Sequence, residues 1–367
     1  MKANSYLEID LQAIASNVLE IRKEIGEKAK LIPVLKGNAY GLGAVRLAQF
    51  LTQNCGIDTI AVSQAPEGIE LREAGITCNI LVMSLPLDWQ VKEAAERELI
   101  LPLGSFRQFE VLKNIALELN RKIYVQIKLD TGLHRIGFPA NEIGQLCCFI
   151  REYSEYLLIT DTFSHFYDDH PKHMEQQAKC FLAGIERLRT AGIDPGFCHI
   201  ASSSSIETCD RFCFDAVRIG RRLYLDNPDR PTGKIREAVS FRAYLTDIRQ
   251  RKAGDTLGYN GEHVLQKDTT TGVLSIGYGD GLNPALTKVK SPVLVNGEKA
   301  PLLAVCMDQS FVDLSGIKCQ TGDEVTLFGY DRKGSLLSSQ YIASLIGGYE
   351  GCGLTTALTS RVERSYI

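Results

Sequence analysis

The strongest constraint on what this chain can fold into is a rhythm. Between residues 31 and 220, short apolar runs rich in β-branched residues alternate with longer segments of helical period. The runs that read as strands are LIPVLK (31–36), DTIAVS (58–63), NILVMS (79–84), LILPLG (99–104), KIYVQIKLD (122–130), LITDTFSHF (158–166), FCHIAS (197–202) and FDAVRIG (214–220). They are apolar throughout, as strands covered on both faces of a parallel sheet must be. Between them, PEGIELREAG and AKCFLAGIERLRTAG carry helical spacing and stop on glycine. Eight such strands close a (β/α)8 barrel. An open doubly wound sheet is the alternative, but no G-x-G-x-x-G follows the first strand.

After Leu225 the texture changes. DNPDRPTGK reads as a linker, and SFRAYLTDIRQ, TTTGVLSIGYG, SPVLVNGEKAPLLAVCMDQSFVDLS and DEVTLFG alternate apolar and polar residues between turn signals. Asn296-Gly297 is a hairpin turn. The expected class is α/β, a TIM-like (β/α)8 barrel over residues 9–228 followed by a mostly β domain over 229–367, which a strand within residues 1–8 joins.

Composition removes several functions. With 41 Lys+Arg against 44 Asp+Glu, nothing offsets the repulsion of nucleic acid or an anionic bilayer. No apolar run approaches the roughly 18 residues of a membrane span, and the start lacks a secretory pattern, so a cytoplasmic protein is expected. The 11 cysteines are odd in number and mostly single on apolar stretches, which reads as reduced and mostly buried thiols. Cys147-Cys148 and the Cys209/Cys213 pair lack a C-x-x-C hook, so no metal is expected. His170 and His173 of YDDHPKH read as solvated residues of a loop without a rigid element.

A barrel's active site lies at the C-terminal ends of its strands. Five of the proposed strands deliver polar residues there: Lys36, Lys128, His165, the Ser202 to Ser205 cluster and Arg218. A lysine following an apolar strand into a barrel mouth is either a salt-bridged structural residue or a Schiff-base lysine. Glycine-flanked turns after Lys36 and Arg218, with hydroxyls beside them, add the donors that a phosphate needs. Together they point to a phosphorylated aldehyde cofactor. Taken singly, Arg135 or Arg218 is more often a salt-bridge partner than a ligand, and Tyr278 in an apolar strand is usually a core residue with a wet tip.

Seven ordered motifs now stand together: VLKGNAYGLG, KLDTGLHRIGF, HIASSSS, VRIG, TLGYNG, SIGYGDG and VCMDQ. They resemble, in order, motifs of the alanine racemase family, fold-type III pyridoxal-phosphate enzymes with a barrel, a β domain and a homodimer that shares its active sites. The resemblance implies a pyridoxal 5'-phosphate-dependent amino-acid racemase, interconverting L- and D-alanine with two bases. It implies that Lys36 binds the cofactor covalently and serves as one base, and that Tyr259, reaching the partner subunit's site, is the other. Racemisation removes a proton from one face of Cα and delivers one to the other, which a single side chain does not readily serve. A tyrosine needs help to act near neutral pH. The family supplies it through His165 and Arg218, with His199 buttressing the arginine.

The same resemblance places Arg218 at the pyridine nitrogen and Tyr40, Ser203, Gly220 and the backbone of Arg221 at the phosphate. Arg135 would hold the substrate carboxylate and the pyridoxal phenolate region, joined by the Met307 backbone and Tyr278 of the partner subunit; Lys128 resembles the lysine that many members carry as a carbamate, which when so modified would orient Arg135, and Asp308 would stand near the substrate's access. Leu42, Ser202, Arg221 and Ala304 depart from the usual pattern, and Ser360 stands where a pocket tyrosine is usual. A wider pocket would admit serine or a broader range of amino acids. A barrel-only cofactor carrier and a fold-related amino-acid decarboxylase are the competing classes. The first would lack the β domain, and the second would want a carboxylate where Arg218 stands, with Cys306 or Cys352 in its partner domain.

Overall fold

The computed structural model describes residues 3–208, 210–225, 234–347 and 350–367. Cys209 and nearly all of the DNPDRPTGK linker lie outside the described residues. The chain divides into two compact units, Val18–Ala39 with Ala44–Gly220, and Met1–Asn17 and Tyr40–Gly43 with Arg221–Ile367.

Strand β1 (Ser5–Ile9) belongs to the latter unit. The former carries β2 (Lys30–Pro33), β3 (Thr59–Val62), β4 (Asn79–Val82), β5 (Leu101–Leu103), β6 (Ile123–Lys128), β7 (Leu157–Phe163), β8 (Phe197–His199) and β9 (Ala216–Ile219). All pair in parallel. Ladders join β2 to β9, β3 to β4, and β5 through β8 in order. Single bridges at Val34↔Ala61, Leu81↔Ile100 and Ser202↔Arg218 connect these groups, so the eight strands close into a ring. Ile32, Val34, Ala61, Leu81, Ile100 and Ala216 form one buried cluster, with Met83 packed on it. Each large aliphatic side chain here contributes about 1.5–3 kcal/mol by its burial.

The strands are shorter than the apolar runs suggest. Leu35 and Phe166 are buried beyond the ends of β2 and β7 because the loops at the barrel mouth pack apolar side chains without continuing the ladder. The YDDHPKH segment also differs from expectation. Pro171 opens a 20-residue helix, Pro171–Thr190, and His173 sits in its first turn with Nδ1 2.6 Å from Asp168 Oδ2. Proline at the first helical position has its φ preset and lacks only a donor that would be unpaired there. The cysteines depart from the sequence reading as well. Of the ten described, only Cys55, Cys147, Cys198 and Cys213 are buried, and Cys148 is exposed. Helical geometry puts Cys147 on the inner face of helix Ile143–Glu152 and turns its neighbour outward.

In the other unit β10 (Val239–Arg251) is the hub, antiparallel to β1, to Thr269–Leu274 and to Glu324–Tyr330. β1 also lies parallel to Glu363–Tyr366. Arg242 of β10 is buried and bridges Glu8 at 2.8 Å and Glu324 at 2.7 Å. Pro292–Val295 and Glu298–Val305 form a hairpin about Asn296-Gly297, where φ is 51° and 86°. Both residues occupy the left-handed region that a two-residue I′ turn requires. Among the described residues, no helix is long and apolar enough to cross a membrane.

Candidate active site

The C-terminal ends of the barrel strands bring together Lys128 at the end of β6, His165 after β7 and Arg218 on β9, with Lys128 Nζ 3.3 Å from Ser164 Oγ and Arg218 Nη2 3.3 Å from His165 Nδ1. Lys36 follows β2 and begins a turn in which Gly37, Asn38 and Ala39 have left-handed φ of 61°, 53° and 52°. Left-handed backbone is costly for residues with a Cβ, and it persists only where the surroundings hold it. The holding bonds are Gly37 N to Glu67 Oε1, 2.6 Å, Ala44 N to Asn38 Oδ1, 2.7 Å, and Ala39 N to Leu35 O, 2.7 Å. Glu67 Oε2 also accepts from Ser63 and Gln64. Glu67 thus caps the start of helix Ala65–Glu73 and at the same time clamps the turn after Lys36.

Lys128, at the end of β6, is buried and donates to Leu129 O at 2.9 Å and Ser164 Oγ at 3.3 Å. Burial, with Arg218 and Arg135 nearby, pushes its ammonium down to about 7 against the pull of Asp130. The loop after it folds back on its own strand, Phe138 N donating to Lys128 O at 2.9 Å, and Gly137 approaches so closely that a Cβ would meet Lys128 at 2.8 Å. Asp130 accepts from the backbone of Gly132 and His134, each at 3.0 Å, and so shapes the segment that presents the exposed Arg135.

Arg218 is buried on β9 and makes the densest set of bonds in the site. Its Nη2 donates to Ser164 O at 2.6 Å and Ile200 O at 3.2 Å and lies 3.3 Å from His165 Nδ1. Its Nη1 donates to His199 Nδ1, and to His199 O at 3.3 Å. Burial and Arg135 push Arg218 down to about 10. Burial, then Arg218, Lys128, Arg135 and Lys36, push His165 down to about 3, so its ring is neutral near pH 7. Ser203 Oγ accepts from Gly220 N at 3.2 Å, which brings the hydroxyl cluster after β8 to the glycine after β9.

Tyr40 and Arg221 belong to the other unit. There the Tyr40 ring lies 6.1 Å from that of Tyr224, and Arg221 Nε is 3.6 Å from Glu350 Oε2. Tyr259, 58% exposed, follows Gly258, whose φ of 78° and approach to Ala304 and Cys306 leave little room for a side chain. Tyr278 N donates to Cys306 O at 2.9 Å and Gly279 N to Met307 O at 2.8 Å, so Tyr278, Met307 and the Tyr259 loop gather around one strand end. Asp308 Oδ1 pairs with Arg361 at 2.7 Å, and Arg361 also reaches Asp280 at 3.0 Å. Ser360, its neighbour, is exposed.

Arg218, Arg135 and an exposed lysine near a neutral histidine call for an anionic ligand, and a lysine at the mouth fits one that carries a carbonyl. Residues 9–228 match the family described as "Alanine racemase, N-terminal domain", and residues 238–366 match "Alanine racemase, C-terminal domain". The chain is 30% identical over 372 residues to alanine racemase 2 of Caldanaerobacter subterraneus subsp. tengcongensis, spanning 98% of this chain and 94% of that one. It is 32% identical over 354 residues to the alanine racemase of Synechocystis sp., with 94% of each covered. Its structure is similar to the alanine racemase of Bacillus anthracis with bound L-Ala-P, at a TM-score of 0.92 and 28% identity over 100% of this chain and 96% of that one. It is also similar to the alanine racemase of Clostridium difficile 630, at a TM-score of 0.91, 28% identity and the same coverage. The chain belongs to the alanine racemase family.

Proposed function

We propose that the protein interconverts L- and D-alanine with pyridoxal 5'-phosphate, in the cytoplasm, as a homodimer whose subunits share their active sites. The observation that carries this reading is the cluster at the barrel mouth, in which Arg218 Nη2 lies 3.3 Å from His165 Nδ1, Lys128 Nζ donates to Ser164 Oγ beside it, and Lys36 stands exposed on the left-handed turn after β2. That cluster fits a cofactor with phosphate and phenolate charges and a substrate with a carboxylate. When bound, the cofactor supplies a carbonyl carbon that links to amines and a conjugated ring that draws electron density from Cα.

Lys36 Nζ would hold the cofactor and exchange the Cα proton on one face. Tyr259 Oη, presented by the partner subunit, would exchange it on the other, which keeps the two bases on opposite sides of one carbon. Arg218 would donate to the ring nitrogen. As a fixed cation it does not hand a proton to that nitrogen, which limits delocalisation and holds back side reactions. His165, neutral and beside Arg218, would accept or donate towards the Tyr259 hydroxyl, with His199 bracing the arginine from behind. Tyr40, Ser203, Gly220 N and Arg221 N would hold the phosphate. Arg135, Met307 N and Tyr278 of the partner subunit would hold the substrate carboxylate and the phenolate edge. Asp308 would help to shape the access, anchored by Arg361.

The test is to incubate the protein and pyridoxal phosphate with L-alanine, L-serine, L-lysine or L-arginine in D2O, following chirality and Cα deuteration. D-alanine as the dominant product supports the reading. D-serine or a basic D-amino acid in first place would move the specificity, and no exchange with any of the four would sink it.

A further inference from the structure

The arginine at the centre of the site has His199 behind it. Arginine offers only donors, so His199 Nδ1, facing Arg218 Nη1, must accept. The proton of the neutral ring is then on Nε2. His199 is buried, and burial, with Arg218, pushes its ring down to about 4 although Asp161 pulls the other way. Its Nε2 has no hydrogen-bond partner. Asp161 Oδ1 faces that nitrogen at 3.7 Å. The separation is too short for an intervening water and a few tenths of an ångström longer than a hydrogen bond.

The backbone explains how a carboxylate comes to lie inside the barrel. Along the β6–β7 ladder the register slips between Val125↔Ile159 and Gln126↔Asp161, so β7 carries one extra residue there. Such a bulge re-aims the side chain that follows it. Asp161 also lines a cavity of about 380 Å³ at the opposite end of the barrel from Lys36, together with Lys30, Thr59, Asn79 and Tyr124. The cavity has room for several waters, which can hydrate the carboxylate oxygen that His199 does not take.

We propose that Asp161 is a positioning residue for the reaction. It accepts the Nε2 proton of His199, fixes the tautomer in which Nδ1 receives Arg218, and so fixes the angle at which Arg218 meets the cofactor ring. This rests on the proposed function, in which Arg218 faces that ring.

The test compares Asp161→Asn and Asp161→Ala with the wild type, each labelled with [15N]histidine, with and without pyridoxal phosphate. In the wild type, one imidazole should keep its Nε2 proton across neutral pH and exchange it slowly with water. Asp161→Ala should speed that exchange and lower kcat on the order of tenfold with KM little changed, as loss of a partner that orients a functional histidine does. Asp161→Asn should fall between, since an amide oxygen accepts more weakly than a carboxylate. A purely structural role would lower the urea midpoint and leave exchange in the folded protein unchanged. Should Asp161→Ala not fold, Asp161→Asn carries the test. Wild-type exchange and wild-type kcat in Asp161→Asn would overturn the proposal. If the wild type turns over no amino acid yet the slow proton is lost in the variants, the proposed function fails and the His199–Asp161 pairing stands.

Discussion

Arg218 Nη2 lies 2.6 Å from the carbonyl oxygen of Ser164, which ties β9 to the residue just past the end of β7 across the intervening strand. The bond joins the guanidinium to the backbone that sets His165, so the arginine braces the barrel mouth as well as shaping its charge.

Removing that brace should be expensive. Arg218→Ala leaves the buried carbonyls of Ser164 and Ile200 without their donor, and roughly 2–4 kcal/mol of stability should be lost. Urea unfolding of the cofactor-free protein measures it, with Arg218→Lys restoring only part because an ammonium cannot span the same acceptors. A loss below about 0.5 kcal/mol would mean that the strand ends hold themselves.

Lys36 and Tyr259 should separate cleanly by spectroscopy. Lys36→Ala should abolish the visible absorbance of covalently held cofactor along with turnover. Tyr259→Phe should keep the absorbance and lose about 10²–10⁴ in kcat, the range for a missing general acid or base. Full activity in Tyr259→Phe would remove the second base from the scheme.

Lys128 is a cation pushed down to about 7, so near neutral pH a large share of its amine carries no charge. An uncharged amine attacks carbon dioxide, forming an N–C bond and releasing a proton. Protein equilibrated with 13C-labelled bicarbonate should therefore show a carbamate carbon signal that Lys128→Met lacks. Equal signals in the two proteins would show that the carbamate sits elsewhere.

Acid should weaken the barrel through its histidines. The ordinary histidine pKa is 6.5 and His165 is pushed down to about 3, so between those values the unfolded chain binds a proton that the folded chain refuses. The contribution is complete above about pH 6.5 and is lost as pH falls towards 3. In Asn-substituted His165 the slope of stability against pH over that window should be shallower than in the wild type, as measured by denaturant titration of the cofactor-free protein. Parallel slopes would mean that the folded ring protonates as readily as a free one.

Much of the site is legible in the sequence itself. Lys36, Lys128, His165, Ser203 and Arg218 each follow an apolar run, and a closed parallel barrel collects the ends of such runs at one mouth whatever the details of packing. Asn296-Gly297 was legible for a similar reason, since a two-residue turn needs little beyond its own backbone preferences. The helix at Pro171–Thr190 was less so at its start, because acidic and histidine residues at its N-terminal edge look like loop until proline is credited with opening it.

Other features depend on chain segments far apart in sequence. Glu67 reaches Gly37, and Asp161 faces His199, across sequence separations of 30 and 38 residues. No local pattern marks either contact. The linear order of residues sets which side chains arrive at a strand end, because hydrophobic period and turn chemistry are local. Which of them meet, which lose their charge and which backbone turns are held left-handed follow from burial and distance, and those are properties of the closed barrel alone.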